Sequence, residues 1–400
     1  MTHPHSSASA GVTPLEQPCE TGLRRRQLTI GLPSCEDPGE RRFPLTPEGA
    51  AQLSERGFRI LMQKGAAKSI HYPDGKYEAA GVEIVERPEA FGCDIVVYLA
   101  SAKATDIALM KRGAMLLSLL RAACSDQQAA RRMLERHIIA VALDLVQDER
   151  GNTPFADILA EIDGRASIAI ASSLLADADH GKGILLGGVA GIVPCETLIV
   201  GSGIAACAAA RSAIGLGAMV RMFDSDVYSL RRASQELGPW LVTSTMNPRT
   251  LESALRTADV VVATPTSTPL ILHHDTVASM KQGVLTFDLT AAADGSAFPS
   301  MMPVDLSMAA DYNGCAGDKC RICYVHAGSA VARTSAMAIT NTLITLLDDV
   351  IADDGLSNAL KLHNGMQKAT LTFYGKPVNP DMASTCGCRS VDISIFLTLS

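Results

Sequence analysis

Residues 197–224 constrain the fold of this chain more than any other stretch. They read TLIVGSGIAACAAARSAIGLGAMVRMFD. Leu198–Val200 is a short β-branched run of the kind found in buried parallel strands. Gly201-Ser202-Gly203-Ile204-Ala205-Ala206 follows at once, an alanine-rich stretch over Ala205–Leu216 reads as a helix, and Met219–Phe223 reads as a second strand. Asp224 closes that strand about 20 residues after the glycines, the spacing expected of a G-x-G-x-x-A fingerprint inside a βαβ unit. Gly201 permits the tight turn. Gly203, with no Cβ, lets a pyrophosphate approach the backbone at the positive end of the helix. Ala206 is small enough for the helix to pack on its strand, and Asp224 can accept hydrogen bonds from the adenosine ribose hydroxyls, which favours NAD over NADP. A Rossmann fold whose crevice is empty is the alternative that the same residues allow.

A chain of 400 residues has room for two or three such units. Its 47% apolar and 4% aromatic content fits an α/β protein packed with Ala, Val, Leu and Ile, and a core of that size needs no disulfide staples. The net charge of −7 argues against a nucleic-acid partner. Eleven cysteines in a chain this long do not make a secreted framework, so reduced thiols in the cytoplasm are expected. No uninterrupted run of 18 or more apolar residues occurs, and no transmembrane helix is predicted.

Taken in order, residues 1–26 form a Ser/Thr/His/Pro-rich tail ending in Arg24-Arg25-Arg26, expected to be disordered. A strand over Gln27–Leu32 and a loop over Pro33–Phe43 precede a helix over Pro47–Glu55, with Thr46 as N-cap and Pro47 at the first helical position. Strands follow at Arg59–Gln63, Val82–Val85, Ile95–Leu99, Met115–Leu120 and Ile138–Leu143, separated by helical segments. This alternation implies a parallel sheet with right-handed crossovers. A long helix over Asn152–Asp177 leads through a glycine-rich loop to the fingerprint. Beyond it, Leu251–Ala258, Val260–Ala263, His274–Met280 and Val284–Asp288 extend a second sheet and its covering helices. Ala330–Val350 reads as a long apolar helix returning to the first unit, followed by a turn at Gly375-Lys376-Pro377 and a short C-terminal helix.

Several stretches carry a family likeness. RFPLTPEGA near the start, GKYEAAGVEIV at 75–85, HGKGILLGGVAGIVP at 180–194, the fingerprint, ADVVVA at 258–263 and VARTSAMAITN at 331–341 occur in one order over about residues 27–380. In these the chain resembles alanine dehydrogenase and the related NAD-binding subunit of nicotinamide transhydrogenase, with the GKGILLGG and ARTS segments closer to the dehydrogenase. The resemblance implies an α/β fold of two Rossmann-like domains with parallel sheets. A discontinuous substrate domain (27–155 with 330–400) would hold an inserted NAD domain (156–329), joined by long helices, with the active site in the cleft and a homo-oligomer, commonly a hexamer, as the assembly.

It also implies site residues. The cofactor NAD would lie against Gly201, Ser202, Gly203, Ile204, Ala205, Ala206, Asp224, Ala263 and Asp288. Oxidative deamination moves a hydride from Cα to the nicotinamide, after which water adds to the imine and a proton carrier is needed. Arg42, in the R-x-x-L-T-P motif, stands where the family binds the substrate carboxylate, a task suited to a planar fork. The family's substrate-binding lysine falls on Ala100, with Lys103 nearby. Its catalytic histidine falls on Arg121, which cannot cycle a proton near neutral pH but can hold a carboxylate. In the late acidic motif Asp288 matches the first acid, and the second falls on Ala292 unless an insertion brings in Asp294. The nicotinamide-side asparagine falls on His326. His326 and Asp294 are therefore the candidate proton carriers, each with an ordinary structural alternative, a packing histidine and an Asp-Gly turn. Three readings follow: an amino-acid dehydrogenase acting on alanine or a related substrate with an altered substrate side, a non-catalytic NAD-binding paralogue, or a transhydrogenase-like subunit. Cys315, Cys320 and Cys323, with Cys386 and Cys388 later, have spacings that can hold a metal, but reduced structural thiols are the expectation and no metal is assigned.

Overall fold

In the computed structural model residues 27–179, 181–267, 270–290, 296–305, 322–352 and 356–398 are described. The hydrophobic runs separate into two sheets. The first takes β1 (Thr29–Leu32), β2 (Arg59–Gln63), β3 (Glu83–Val85), β4 (Ile95–Val97), β5 (Met115–Ser118) and β6 (Ile139–Ala142), all pairing in parallel. The second takes β7 (Glu196–Val200), β8 (Met219–Asp224), β9 (Leu241–Thr245), β10 (Val260–Ala263), β11 (Leu285–Asp288), β12 (Met302–Asp305) and β13 (Ile322–Val325), also in parallel. Its order, β12-β13-β11-β10-β7-β8-β9, reverses direction at β7, which has β8 on one side and β10 on the other. In open α/β sheets a crevice forms beyond the carboxyl ends of the strands at such a reversal. The glycine turn leaves β7 at that point.

The first sheet departs from the expected all-parallel pattern. β14 (Thr370–Phe373) and β15 (Lys376–Pro377) add an antiparallel edge beyond β6. The turn expected at Gly375–Pro377 is a two-residue hairpin loop, Tyr374-Gly375, in which both residues have positive φ (46° and 75°). That conformation matches the twist of paired strands. Pro377, with no N–H to donate, is accommodated because it sits on the edge strand.

Three helices position the cleft. Thr46 caps the helix Pro47–Glu55 as expected, its side chain accepting from the Gly49 N–H at 3.3 Å. The helix Pro154–Ala176 opens on a proline at its N-terminus and lies against the fingerprint helix Ile204–Gly215. The contact is backbone to backbone: a Cβ on Gly164 would stand 2.1 Å from the Ala205 carbonyl oxygen and 3.0 Å from the Ala209 nitrogen. The helix Ala332–Ala352 turns Ala332, Ala336, Ile339, Leu343 and Leu347 into the core that also holds Ile30, Leu32, Ile60 and Met62 of the first sheet. Each fully buried leucine or isoleucine there contributes about 1.5–3 kcal/mol relative to exposure. A hydrogen bond from the Thr46 N–H to Thr340 Oγ1 (2.9 Å) ties it to the first helix. Among the described residues no helix is long and apolar enough to cross a membrane.

Candidate active site

The glycine turn has the geometry its residue types permit. Gly201 adopts φ +103°, and a Cβ there would meet Thr264 Oγ1 at 2.0 Å. Its N–H donates to the Phe223 carbonyl at 2.7 Å. Gly203 is different: a Cβ would meet nothing within 4 Å. It N-caps the helix Ile204–Gly215, and no side chain caps that end, so the first-turn N–H groups of Ile204, Ala205 and Ala206 face this space without a side-chain acceptor. Asp224, buried at the end of β8, accepts from Ser202 Oγ at 2.6 Å and from the Asp226 N–H at 2.9 Å. The carboxylate is thereby fixed against the turn, with acceptor capacity left on both oxygens. Ala263 pairs with Val200 across β10 and β7 and is fully buried.

Asp288 has another occupation. Its Oδ1 accepts from the Thr290 N–H (2.9 Å) and hydroxyl (2.5 Å), and its Oδ2 from Ser296 Oγ (2.7 Å) and the Ala297 N–H (2.9 Å). Four donors from its own loop fill the roughly four lone-pair sites of a carboxylate. Asp288 therefore staples the ends of the loop that follows β11 and has no acceptor left for a ligand. Asp294, Cys315 and Cys320 lie outside the described residues.

The segment 39–42 meets the segment 326–329. Arg42 donates through Nε to Glu40 Oε1 at 2.8 Å and through Nη2 to Oε2, a bidentate pair with side chains 15% and 11% exposed. Burial acts to lower the Arg42 guanidinium, but Glu40, Asp163 and Asp144 outweigh it and hold the group above its ordinary value. Ser329 joins the two segments: its Oγ donates to the Gly39 carbonyl (2.9 Å) and accepts from the Arg41 N–H (2.8 Å). The Gly328 N–H donates to Asp163 Oδ1 at 2.7 Å, where a Cβ on residue 328 would collide at 2.3 Å. Burial raises the Asp163 carboxyl, partly opposed by Arg42 and the Gly328 N–H. His326 Nδ1 lies 3.3 Å from Asp305 Oδ2. Arg121, on the short helix Leu120–Cys124, is exposed with no ionic partner among the described residues. The preceding Leu120 N–H donates to Asp144 Oδ1 at 2.8 Å, and Asp144 is also within the field of Arg42.

Two matches place this architecture. The alanine dehydrogenase/PNT N-terminal domain family matches residues 31–162 and the C-terminal domain family matches residues 167–380. The chain belongs to the alanine dehydrogenase/PNT family. It is 28% identical over 376 residues to an alanine dehydrogenase from Mycolicibacterium smegmatis, covering 92% of this chain and all of that one. It is 26% identical over 367 residues to an alanine dehydrogenase from Mycobacterium tuberculosis, covering 90% and 97% of the two. Among solved structures, an L-alanine dehydrogenase superposes with a TM-score of 0.78 at 22% identity over 90% of this chain and 99% of that one. A transhydrogenase from Sinorhizobium meliloti superposes at 0.69 with 19% identity over 88% and 99%.

Within this family member, the structure separates residues that the sequence treated alike. Ala100 is buried and carries no donor, and Lys103 is engaged elsewhere, paired with Glu36 at 2.6 Å. Glu40, Asp163, Asp305 and Ser329 were not singled out in the sequence. Glu40 had a local signal, an acid two residues before Arg42. Asp163, Asp305 and Ser329 had none, because only folding brings them to the cleft. Cys323 and Cys386 are buried, and burial pushes both thiols up. The described cysteines, eight in all, are unbridged. No group of three or more metal-ligating side chains forms among the described residues.

Proposed function

We propose that this chain is an NAD-dependent amino-acid dehydrogenase that converts L-alanine or a related amino acid to the 2-oxo acid and ammonia. One observation carries the reading: the glycine turn is open at Gly203, where the Cβ is missing and the helix N–H groups are uncapped, and the neighbouring Ser202 holds the carboxylate of Asp224 beside it. A diphosphate with a ribose beside it fits that donor and acceptor set. Gly201, Ser202, Gly203, Ile204, Ala205 and Ala206 would hold the diphosphate, Asp224 the ribose hydroxyls, and Ala263 the floor of the crevice. Asp288 would shape the loop beside it. When bound, the nicotinamide accepts the hydride from the substrate Cα.

The remaining work falls to the cleft. Arg121, exposed and without an ionic partner among the described residues, is the group that takes the substrate carboxylate. Arg42 holds Glu40 and so fixes the substrate-side wall. His326 is the proton carrier at the domain junction. The substrate domain would comprise residues 27–155 with 330–400 and the NAD domain residues 156–329. The unbridged thiols suit a reducing compartment such as the cytoplasm. The exposed apolar loop at 184–193 suits a homo-oligomer.

Isothermal titration with NAD, run beside NADH formation over a panel of amino acids, tests the proposal. Binding together with turnover of at least one amino acid supports it. Binding with no turnover on any amino or 2-oxo acid favours the non-catalytic paralogue, which the internal occupation of the Arg42 fork by Glu40 also permits. No binding at millimolar NAD removes both.

A further inference from the structure

β12 and β13 end side by side, with Asp305 opposite Val325 in register, so the next residue, His326, stands beside Asp305. The backbone of His326 is in the left-handed region (φ +54°), uncommon for a residue with a side chain. It is held there by the Ser329 N–H, which donates to the His326 carbonyl at 2.9 Å. Asp305 is largely buried and the His326 ring about half exposed, so the carboxylate backs a ring that is open to solvent. The opposing domain leaves room for the pair: a Cβ on Gly39 would stand 3.0 Å from Asp305 Oδ2 and 3.4 Å from His326 Nδ1. Glu40 and Arg42 follow directly in that segment, so the pair lies at the substrate-side wall.

We infer that Asp305 is a positioning residue that holds His326 by Nδ1 and so fixes Nε2 as its proton-carrying atom. The inference rests on the dehydrogenase reading of the cleft. A carboxylate at Nδ1 selects the tautomer with the proton on Nδ1 and the lone pair on Nε2, the form a general base requires. In the hydrolytic half of the reaction the hydride pair has already left Cα. The oxygen of water then bonds to the imino carbon while Nε2 takes a proton from that water. In the carbinolamine so formed from the protonated imine, Nε2 returns that proton to the nitrogen. It then takes the hydroxyl proton as the C–N bond breaks and the second C–O bond forms, and hands it to the departing ammonia. The 2-oxo acid and ammonium leave, and the imidazole ends as it began. The pair supplies at 305 and 326 the proton handling that Arg121 and Ala292 cannot give at the positions where the family likeness placed it.

Two measurements test this on the full chain. In protein labelled with 15N-histidine, the His326 signals are those lost in H326Q. In the singly protonated ring they are expected to place the N–H on Nδ1 in the native chain and chiefly on Nε2 in D305N. In steady-state assays D305N is expected to lower kcat on the order of 100-fold with KM and NAD affinity nearly unchanged, and D305E to recover part of the loss. Nε2 protonation in the native chain, or a kcat for D305N equal to the native value, overturns the inference. So does a D305N variant that loses NAD affinity together with kcat, which marks Asp305 as structural. Absence of turnover by the native chain overturns the dehydrogenase reading instead, and the tautomer alone then decides whether Asp305 positions His326.

Discussion

Arg42 and Arg121 carry the same charge and have opposite surroundings. Arg42 is enclosed with Glu40 and close to Asp163, so R42Q leaves buried carboxylates without a cation. The expected cost is about 3–5 kcal/mol, read as a lower urea midpoint. Arg121 is exposed and has no ionic partner among the described residues. R121Q is expected to leave stability within about 0.5 kcal/mol and to raise KM for the amino acid at least tenfold, the loss of one bidentate carboxylate contact. If R42Q changes KM alone and R121Q unfolds the chain, the two roles are reversed. Asp163 adds a pH signature. Burial raises its carboxyl in the folded chain above the unfolded value of about 3.9. The folded state therefore binds the proton more tightly, and this contribution is fully present below the unfolded value and lost as pH rises through the folded one. D163N, which keeps an acceptor for the Gly328 N–H, has no such loss. Its melting temperature should gain on the native chain as pH rises from about 4 toward neutrality, and parallel curves would exclude the effect. These surroundings were not readable in the sequence. Glu40 and Arg42 are neighbours along the chain, but Asp163 reaches them from 121 residues away and Ser329 from the far side of the nucleotide fold.

Among the elements, legibility followed locality. The strand, turn and helix at 196–215 were evident because a βαβ unit writes its glycines, small residues and closing acid into one continuous stretch. Helix ends with local caps were equally clear, as at Thr46. β9, β12 and β13 were not recognised. Leu241–Thr245 exposes most of its side chains and Met302–Asp305 carries a proline, so neither shows the apolar run of a buried parallel strand, whereas Ile322–Val325 is apolar and largely buried but only four residues long. The hairpin at Tyr374–Gly375 was hidden because a tyrosine at positive φ lacks the usual Asn-Gly signal. The Gly164 contact belongs to this scale too, since one missing Cβ sets how closely the long helix lies on the fingerprint helix. G164A must part the two by the overlap now absent at the Ala205 carbonyl. Overpacking of this kind costs about 1–3 kcal/mol, and the displaced helix carries Ala205 and Ala206 with it. Calorimetry is expected to show both a lower melting temperature and weaker NAD binding, whereas G151A, at an exposed turn with open space around it, should leave NAD binding as it is.

At the scale of the molecule, several exposed apolar residues gather where the chain enters β7 and β8 of the second sheet. The loop 184–193 folds back on itself through a bridge between Val189 and Ile192, and Gly187 brings it against the turn at Leu216–Gly217. Leu185, Val189, Ile192 and Val193 are exposed there, Ile192 and Val193 at 67% and 78%, with Leu216 and Met219 beside them. Soluble monomers rarely leave so many large apolar side chains together in water. A second copy of the chain would cover the patch. The pair I192D and V193D puts two carboxylates where an apolar interface would have to desolvate them, at a cost that association cannot recover. Sedimentation velocity is expected to show an oligomer for the native chain and a smaller species for the double variant. Association should weaken little between low and high salt, since burial of apolar surface rather than exposed ion pairing drives it. The circular dichroism spectrum and NAD affinity of the variant should match the native chain if the patch serves assembly alone. An unchanged sedimentation coefficient would place the interface elsewhere on the surface.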